Sequence, residues 1–518
     1  MATLCVTDMQ KSVLIYILCL ISFAVSAVSD SAAPPPHRRI DKIVFRNLEK
    51  RGLQPAEQVT DEVFLRRAYL DLTGSIPDHN TARKFLKKEY KGKRRQLIDH
   101  LIQSPEFADY WTLKWCDLLR VKAEFPINMW PNGVQAYAKW IHTSILQNKS
   151  YDNFAREMLT SSGSNFRVPQ VNFYRGVQGE KPGDIATVAA LTFMGTRLEK
   201  WPENKRKDFE AFFSRINFKG TAEWKEVIVC NDHGASEVLT TRFPDGKKVM
   251  IQAGVDPRKV FADWLISANN EWFARNIVNR AWSWFMGYGL IHEPDDIMHN
   301  SKAVYPELLA CLEKEFVSSG YDMRHLFRVI MMSKVYQQSS KPHSDLPEGP
   351  ELFARYPVRQ VEAEVLIDAL DRLSGSSDEY MSMIPEPFTF VPSRNKAVQL
   401  TDGSITSKFL KMFGRPSRDT GLESERNNAP SDDQRLHMLN STHVQSKIEK
   451  GWKLRNLTKR SKDKKEALNI IYLSVLTRYP TDEERAAARE YVQKKGQHHG
   501  TRDVFWALIN SKEFLYRH

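Results

Sequence analysis

Between Ile40 and His518, apolar residues recur at helical spacing with one change of period, and this confines the chain to a mainly α fold. "IDKIVFRNLEKRGL" sets Ile40, Ile43, Val44 and Leu48 on one face and stops at Gly52. "SPEFADYWTLKWCDLLRV" opens with Ser104 as N-cap, Pro105 in the first turn and Glu106 behind it. Phe107, Trp111, Trp115 and Leu118 follow as an aromatic stripe suited to a core face. "YDNFAREMLTSSG" reads as a shorter helix closed by Gly163. From Ala222 to Ala253 the period changes. "KEVIVCND" and "KKVMIQAG" read as short strands, joined through "RFPDGKK", whose Asp245-Gly246 signals a hairpin. Helices resume at Asp256-Pro257 and, apart from a loop-rich stretch at Ser374–Asp402, run to the C-terminus. The expected architecture is two helical domains, 40–221 and 256–518, with a small β-rich insert at 222–255 between them.

Residues 1–27 have the anatomy of a signal peptide: Lys11, an apolar run Val13–Phe23, and Val25-Ser26-Ala27 before the cut. Residues 28–39 read as a Pro-rich tether. The run is short for a membrane span. The protein is therefore expected to be exported, periplasmic or extracellular, with no span after cleavage; an uncleaved anchor is the alternative. Cleavage removes Asp8 and Lys11 together, so the formal charge of +12 on 518 residues is unchanged. That sign of charge favours an acidic polysaccharide or an acidic protein as partner; a specific nucleic-acid partner is not expected. Of five cysteines, Cys5 and Cys19 leave with the signal, and Cys116, Cys230 and Cys311 remain. No C-x-x-C exists, which excludes a zinc ribbon, a dense disulfide framework and a c-type haem attachment site.

The richest polar cluster is "LIHEPDDIMHN". His292, Glu293, Asp295, Asp296 and His299 mix imidazole and carboxylate and form a candidate divalent-metal site. The same acids suit a second role. Arg275 and Arg280 sit in the aromatic helix "WFARNIVNRAWSWF", and Asp295 and Asp296 are their candidate partners in a structural ion pair. "GTRLEKWPENKRKDFEAFFSRI" is broken at Trp201-Pro202 and crowded with bases. Lys200, Trp201, Lys205, Arg206 and Lys207 form a candidate ligand site, with the indole stacking on a sugar and the bases meeting sulfate or carboxylate. The plainer reading is a solvated helix start. Cys230, Asp232, His233 and Glu237 in "CNDHGASE" lack a third partner for nucleophilic catalysis and read as a polar turn. "GRPSRDTGLESERNN" carries Arg415, Arg418, Glu423, Glu425 and Arg426. No nucleophile elbow, phosphate loop or zinc-protease helix motif is present.

Five phrases, "FLRRAYLDLTGSIP", "SPEFADYWTLKWCDLLR", "WFARNIVNRAWSWFMGYGLIHEPDDI", "GYDMRHLFRVIMMSKVYQQSS" and "RDVFWALINSKEFLYRH", together resemble a paired-domain family of exported proteins abundant in planctomycetes and related bacteria. The family joins a planctomycete cytochrome-like domain to a planctomycete-specific C-terminal domain, and the resemblance runs from about Ile40 to His518. It carries no established biochemical activity. It does imply a Cys-x-x-Cys-His haem segment directly after the phrase matching "FMGTRLE", and a Cys within the phrase matching "GLESER". Here Glu199 is followed by Lys200-Trp201-Pro202, and "GLESER" has no Cys. No covalent haem and no other resident cofactor is expected, with a divalent metal as the exception to test. The reading reached from sequence is an exported, non-catalytic binding or scaffold protein. The alternatives are a hydrolase or lyase acting on acidic or sulfated polysaccharide, and an electron-transfer accessory with a non-covalent cofactor.

Overall fold

A computed structural model describes residues 34–518 apart from 233, 299, 343–350, 452, 454, 455 and 457–463. Residues 1–27, His233 and His299 thus lie outside the described residues. The mainly α expectation holds: 54% of the chain is helical and the sheets have only two or three strands. None of the described helices is long and apolar enough to cross a membrane.

The helix Pro36–Lys50 buries Ile40, Ile43, Val44 and Leu48, the face its spacing predicts. That face packs on the helices Pro306–Ser318 and Met323–Met332, which come from the other half of the chain. The helix Asp61–Thr73 does the same with polar groups. Its Arg66 donates to the carbonyls of Val475 at 2.8 Å and Phe514 at 3.0 Å. Arg67 next to it donates to those of Tyr336 at 2.5 Å and Gln338 at 3.0 Å. The last residues are also stitched back, because Tyr516–Arg517 pairs antiparallel with Arg359–Gln360. In the helix Pro105–Leu118, Ser104 caps Phe107 N–H, and Phe107, Trp111, Trp115 and Leu118 are all buried.

The β region begins earlier than its alternation predicts. Ile216–Gly220 is a strand, paired antiparallel with Val227–Asn231, and Gly163–Ser164 adds a third strand on the other side. The basic helix Glu203–Glu210 ends in a short 3₁₀ turn at Ala211–Phe213, whose Phe212 and Phe213 are buried, and the chain leaves it extended. Lys248–Ile251 pairs with Leu239–Arg242 across the predicted turn, where Gly246 has φ 90°.

Candidate functional site

The elbow is built by an irregular helix end. The helix Pro182–Ala189 widens into a π-helical turn at Ala190–Met194 and stops at Gly195, φ 63°. π turns of this kind collect at functional sites. Only glycine fits at 195, since a Cβ there would lie 2.5 Å from Asn276 Oδ1 and 2.8 Å from the Pro294 carbonyl. The segment 294–297 runs alongside, with Ile297 N–H donating to Gly195 O at 2.7 Å.

The structure distributes the sequence-predicted residues as follows. Arg280 and Asp295 meet at 2.6 Å, both buried, and Asp295 also accepts from Glu423 N–H at 2.6 Å. Arg275 pairs instead with Glu313 at 2.9 Å, and Asp296 with Lys200 of the elbow. His292 and Glu293 are exposed, and His292 stacks against Tyr288. Among the described residues no group of three or more His, Cys, Asp or Glu is placed to hold a metal ion. In the elbow, Lys207 pairs with Glu203 at 2.7 Å and Arg206 with Glu210 at 3.9 Å, while Lys205 is exposed. Trp201 is half-buried, its N–H donates to Thr196 Oγ1 at 3.1 Å, and its ring lies 5.6 Å from that of Phe209.

A cavity of about 280 Å³ lies beside this elbow. Thr196, Arg197 and Glu199 line it together with Asp419, Thr420 and Leu422. These are the neighbourhoods of the two phrases in which the resemblance implies cysteine, so the fold sets both on one cavity. Its volume is at the lower edge for a small-molecule pocket. Two of its charged residues, Arg120 and Asp419, are already committed, while the buried Arg197 Nε has no hydrogen-bond partner among the described residues. Buried Arg120 donates to the carbonyls of Gly176 at 2.6 Å and Thr420 at 3.1 Å. Asp419 accepts from Lys122 at 2.6 Å and from Ser417 at 2.8 Å.

The loop that carries Asp419–Leu422 is held by a buried ion network that sequence reasoning missed. Arg418 and Arg426 both grip Asp117, at 2.8 and 2.6 Å. Arg426 and Arg415 grip Glu364, at 2.7 and 3.3 Å. Glu425 accepts from the N–H groups of Asp419, Thr420 and Gly421 at 2.8–3.2 Å. Burial opposes its charge, but those bonds and the Ser417 hydroxyl hold its carboxyl below the usual range. Next to this network Glu362 takes Lys114 at 2.9 Å and Arg517. Burial would raise the Glu362 carboxyl; Arg517 and Lys114 outweigh it and hold the group well below its ordinary value. The available signal was Lys114 and Asp117 inside a Trp-rich helix, and Glu362 and Glu364 at the start of an apolar one. Charges on buried faces require partners elsewhere in the chain.

A larger cavity, about 670 Å³, is a cleft lined by Glu106, Asp109, Asp368, Asp371, Arg372, Arg394 and Lys396. Asp109 accepts from His142 at 3.1 Å and Gln399 at 2.9 Å, and Asp371 from Ser376 at 2.9 Å and from Lys447. Ser376 and Lys447 lie 3.2 Å apart, but Lys447 also donates to Asp371 and Asp378, so its donors are already divided among three partners. Asp368 differs. Burial pushes its carboxyl up to about 7, despite N–H bonds from Ala397 and Val398.

No curated protein and no solved structure matches the chain. Two family models match it in series. The first is described as PSCyt2, protein of unknown function (DUF1549), over residues 39–212; the second as PSD1, protein of unknown function (DUF1553), over 257–492. The chain therefore belongs to the paired-domain planctomycete family in which these two domains of unknown function follow one another.

Proposed function

We propose that the protein is an exported, non-catalytic binding protein of the cell exterior, and that its partner is an acidic polymer, polysaccharide before protein. The observation that carries this reading is the commitment of charge around the cavities. Arg120, Asp419, Asp109, Asp371 and Lys447 all hold protein partners. General acid–base or nucleophilic catalysis needs a group free to exchange a proton with substrate. Export rests on the leader-like residues 1–27, and the acidic partner on the +12 charge. The absence of covalent haem rests on Lys200-Trp201-Pro202 standing where the resemblance implies the attachment cysteines.

The test is chromatography of the mature protein on immobilised heparin, followed by incubation with soluble heparin and an assay for new chain ends. The expected result is retention that falls steeply with salt, as exposed charges are screened beyond about 8 Å at physiological ionic strength, and no new ends. Failure to bind at low salt overturns the reading. A second reading, a hydrolase or lyase, is favoured by one observation, the Asp368 carboxyl at about 7 on the wall of the large cleft. New chain ends that vanish in Asp368→Asn would establish it instead.

A further inference from the structure

We infer that an aromatic face around Lys225, remote in sequence from the basic elbow, is where the partner binds, and that it takes a glycan chain bearing carboxylate or sulfate groups. This rests on the binding reading above and gives it a location.

Three separate segments make the face: the loop 122–130, the hairpin turn 221–226 and the loop 381–390. Each leaves an apolar side chain in solvent. Phe125 is 79% exposed, Trp224 68% and Met383 86%. Single exposed apolar residues are ordinary, but contacts between the three segments draw these onto one side of the molecule. Glu124 accepts from Met383 N–H at 2.8 Å and so draws the third segment against the first. The rings of Trp130 and Phe388 lie 5.4 Å apart. The Lys225 ammonium links the second segment to the first, 6.0 Å from the centre of the Trp130 ring and 5.3 Å from that of Trp224.

Two features separate this face from casual exposure. The first is backbone strain. Trp130 has φ 67° and ψ 148°, close to a region populated almost only by glycine, and Lys225 has φ 62°. A bulky indole and a charged side chain each occupy a position where glycine would be more comfortable. Such outliers gather at binding sites. The second is the unmet charge of Lys225. Glu223, two positions before it, is paired with Arg167 at 3.1 Å, and Glu226, next to it, accepts from Thr221 at 2.6 Å and from Ser164. Neither nearby carboxylate is spent on the ammonium, and no ion pair reaches it among the described residues.

The chemistry selects the occupant. A purely apolar partner would bury Lys225 without pairing it, which is costly. A second copy docked about a twofold axis would bring one Lys225 towards the other. A sugar ring offers a C–H face for the indole, and a uronate or sulfate group completes the ammonium. An open shelf rather than a deep pocket suits a polymer that passes across it.

The experiment uses a heparin hexasaccharide, with neutral dextran as control, and compares the whole mature protein with Trp224→Ala and Lys225→Gly. Glycine accepts the backbone at 225, so that variant keeps its fold. Each change is expected to weaken hexasaccharide binding roughly tenfold. Lys225→Gly should also flatten the salt dependence, and dextran should bind no form. Wild-type binding that both variants retain in full would remove this face and leave the binding reading intact. No wild-type binding would end both. A dimer in sedimentation that Trp224→Ala dissolves would assign the face to a second copy and overturn the glycan proposal.

Discussion

Lys200-Trp201 in the elbow and Trp224-Lys225 in the hairpin turn are the same two residues in opposite order, and the fold treats them in opposite ways. At the elbow the ammonium meets Asp296, two further bases have acid partners, and the indole is half-buried with its N–H tied to Thr196. At the turn the indole stands in solvent and, among the described residues, the ammonium has ring faces and no ion pair beside it. The elbow is the more basic stretch in sequence, yet most of its charge is answered within the molecule. Free charge, rather than the number of bases, is what a polymer can use. Exposed pairs at the elbow add little to stability, but they cancel the local field that would attract an anion.

The largest expected effect lies beneath the elbow. Asp295→Ala takes from the buried Arg280 its 2.6 Å partner, leaving only the more distant Glu423 at 3.8 Å, and frees Glu423 N–H, and should cost about 3 kcal/mol in urea unfolding. Lys200→Ala, which breaks an exposed pair, should cost less than about 1 kcal/mol. Similar losses from the two would show that burial does not divide the elbow's anchors as described. Gly195→Ala comes next, at about 2–3 kcal/mol, because the added methyl meets Asn276 and the Pro294 carbonyl on a left-handed backbone. A neutral outcome would mean that the segment 294–297 gives way, and the elbow would lose its claim to be the rigid member of the comparison.

How much of this the sequence disclosed depends on the range of the interaction. The buried stripe of Phe107, Trp111, Trp115 and Leu118, and the Asp245-Gly246 turn, are local patterns and were legible. The Arg280–Asp295 contact joins neighbours 15 positions apart and was legible from charge and spacing. Asp117 with Arg418 and Arg426, or Glu362 with Arg517, join residues more than 150 positions apart. Nothing local identifies such partners; only the unexplained charge on a buried helix face hints that they exist. The face around Lys225 was invisible for the same reason. It needs three segments, and two of its residues owe their direction to positive φ angles that no propensity for Trp or Lys would suggest.

Asp368 is a third case, a half-buried carboxyl on the cleft wall that accepts two backbone N–H bonds and has no cation paired with it among the described residues. Its pKa is raised from the ordinary value to about 7. Between those two values the folded protein binds a proton that the unfolded chain has released, so stability falls as pH rises through the window. The protonated form's contribution is complete below the unfolded value and gone above about 7. Asp41, raised to about 6, acts in the same direction. Unfolding at pH 4 and pH 7, wild type against Asp368→Asn, isolates the difference, which should be on the order of 2 kcal/mol and larger at pH 4 in favour of wild type. A difference independent of pH would show that Asp368 titrates normally, and the cleft would then lose the one feature favouring an enzyme.

The smallest expected effect is the one that most sharpens the contrast between elbow and turn. Lys225→Gly relieves a left-handed backbone, worth about 1–2 kcal/mol, and loosens the unfolded chain, which returns about 0.5–1 kcal/mol of that. The variant should therefore be as stable as the wild type or more stable by less than about 1 kcal/mol. If it gains stability while binding fails, the strain at 225 serves recognition and folding would be better without it, as strained binding positions generally are. If it loses more than about 1 kcal/mol, the contacts between the ammonium and the rings of Trp130 and Trp224 are structural cement. The turn would then resemble the elbow after all, with its charge used inside the molecule, and the distinction between the two Trp-Lys pairs would collapse.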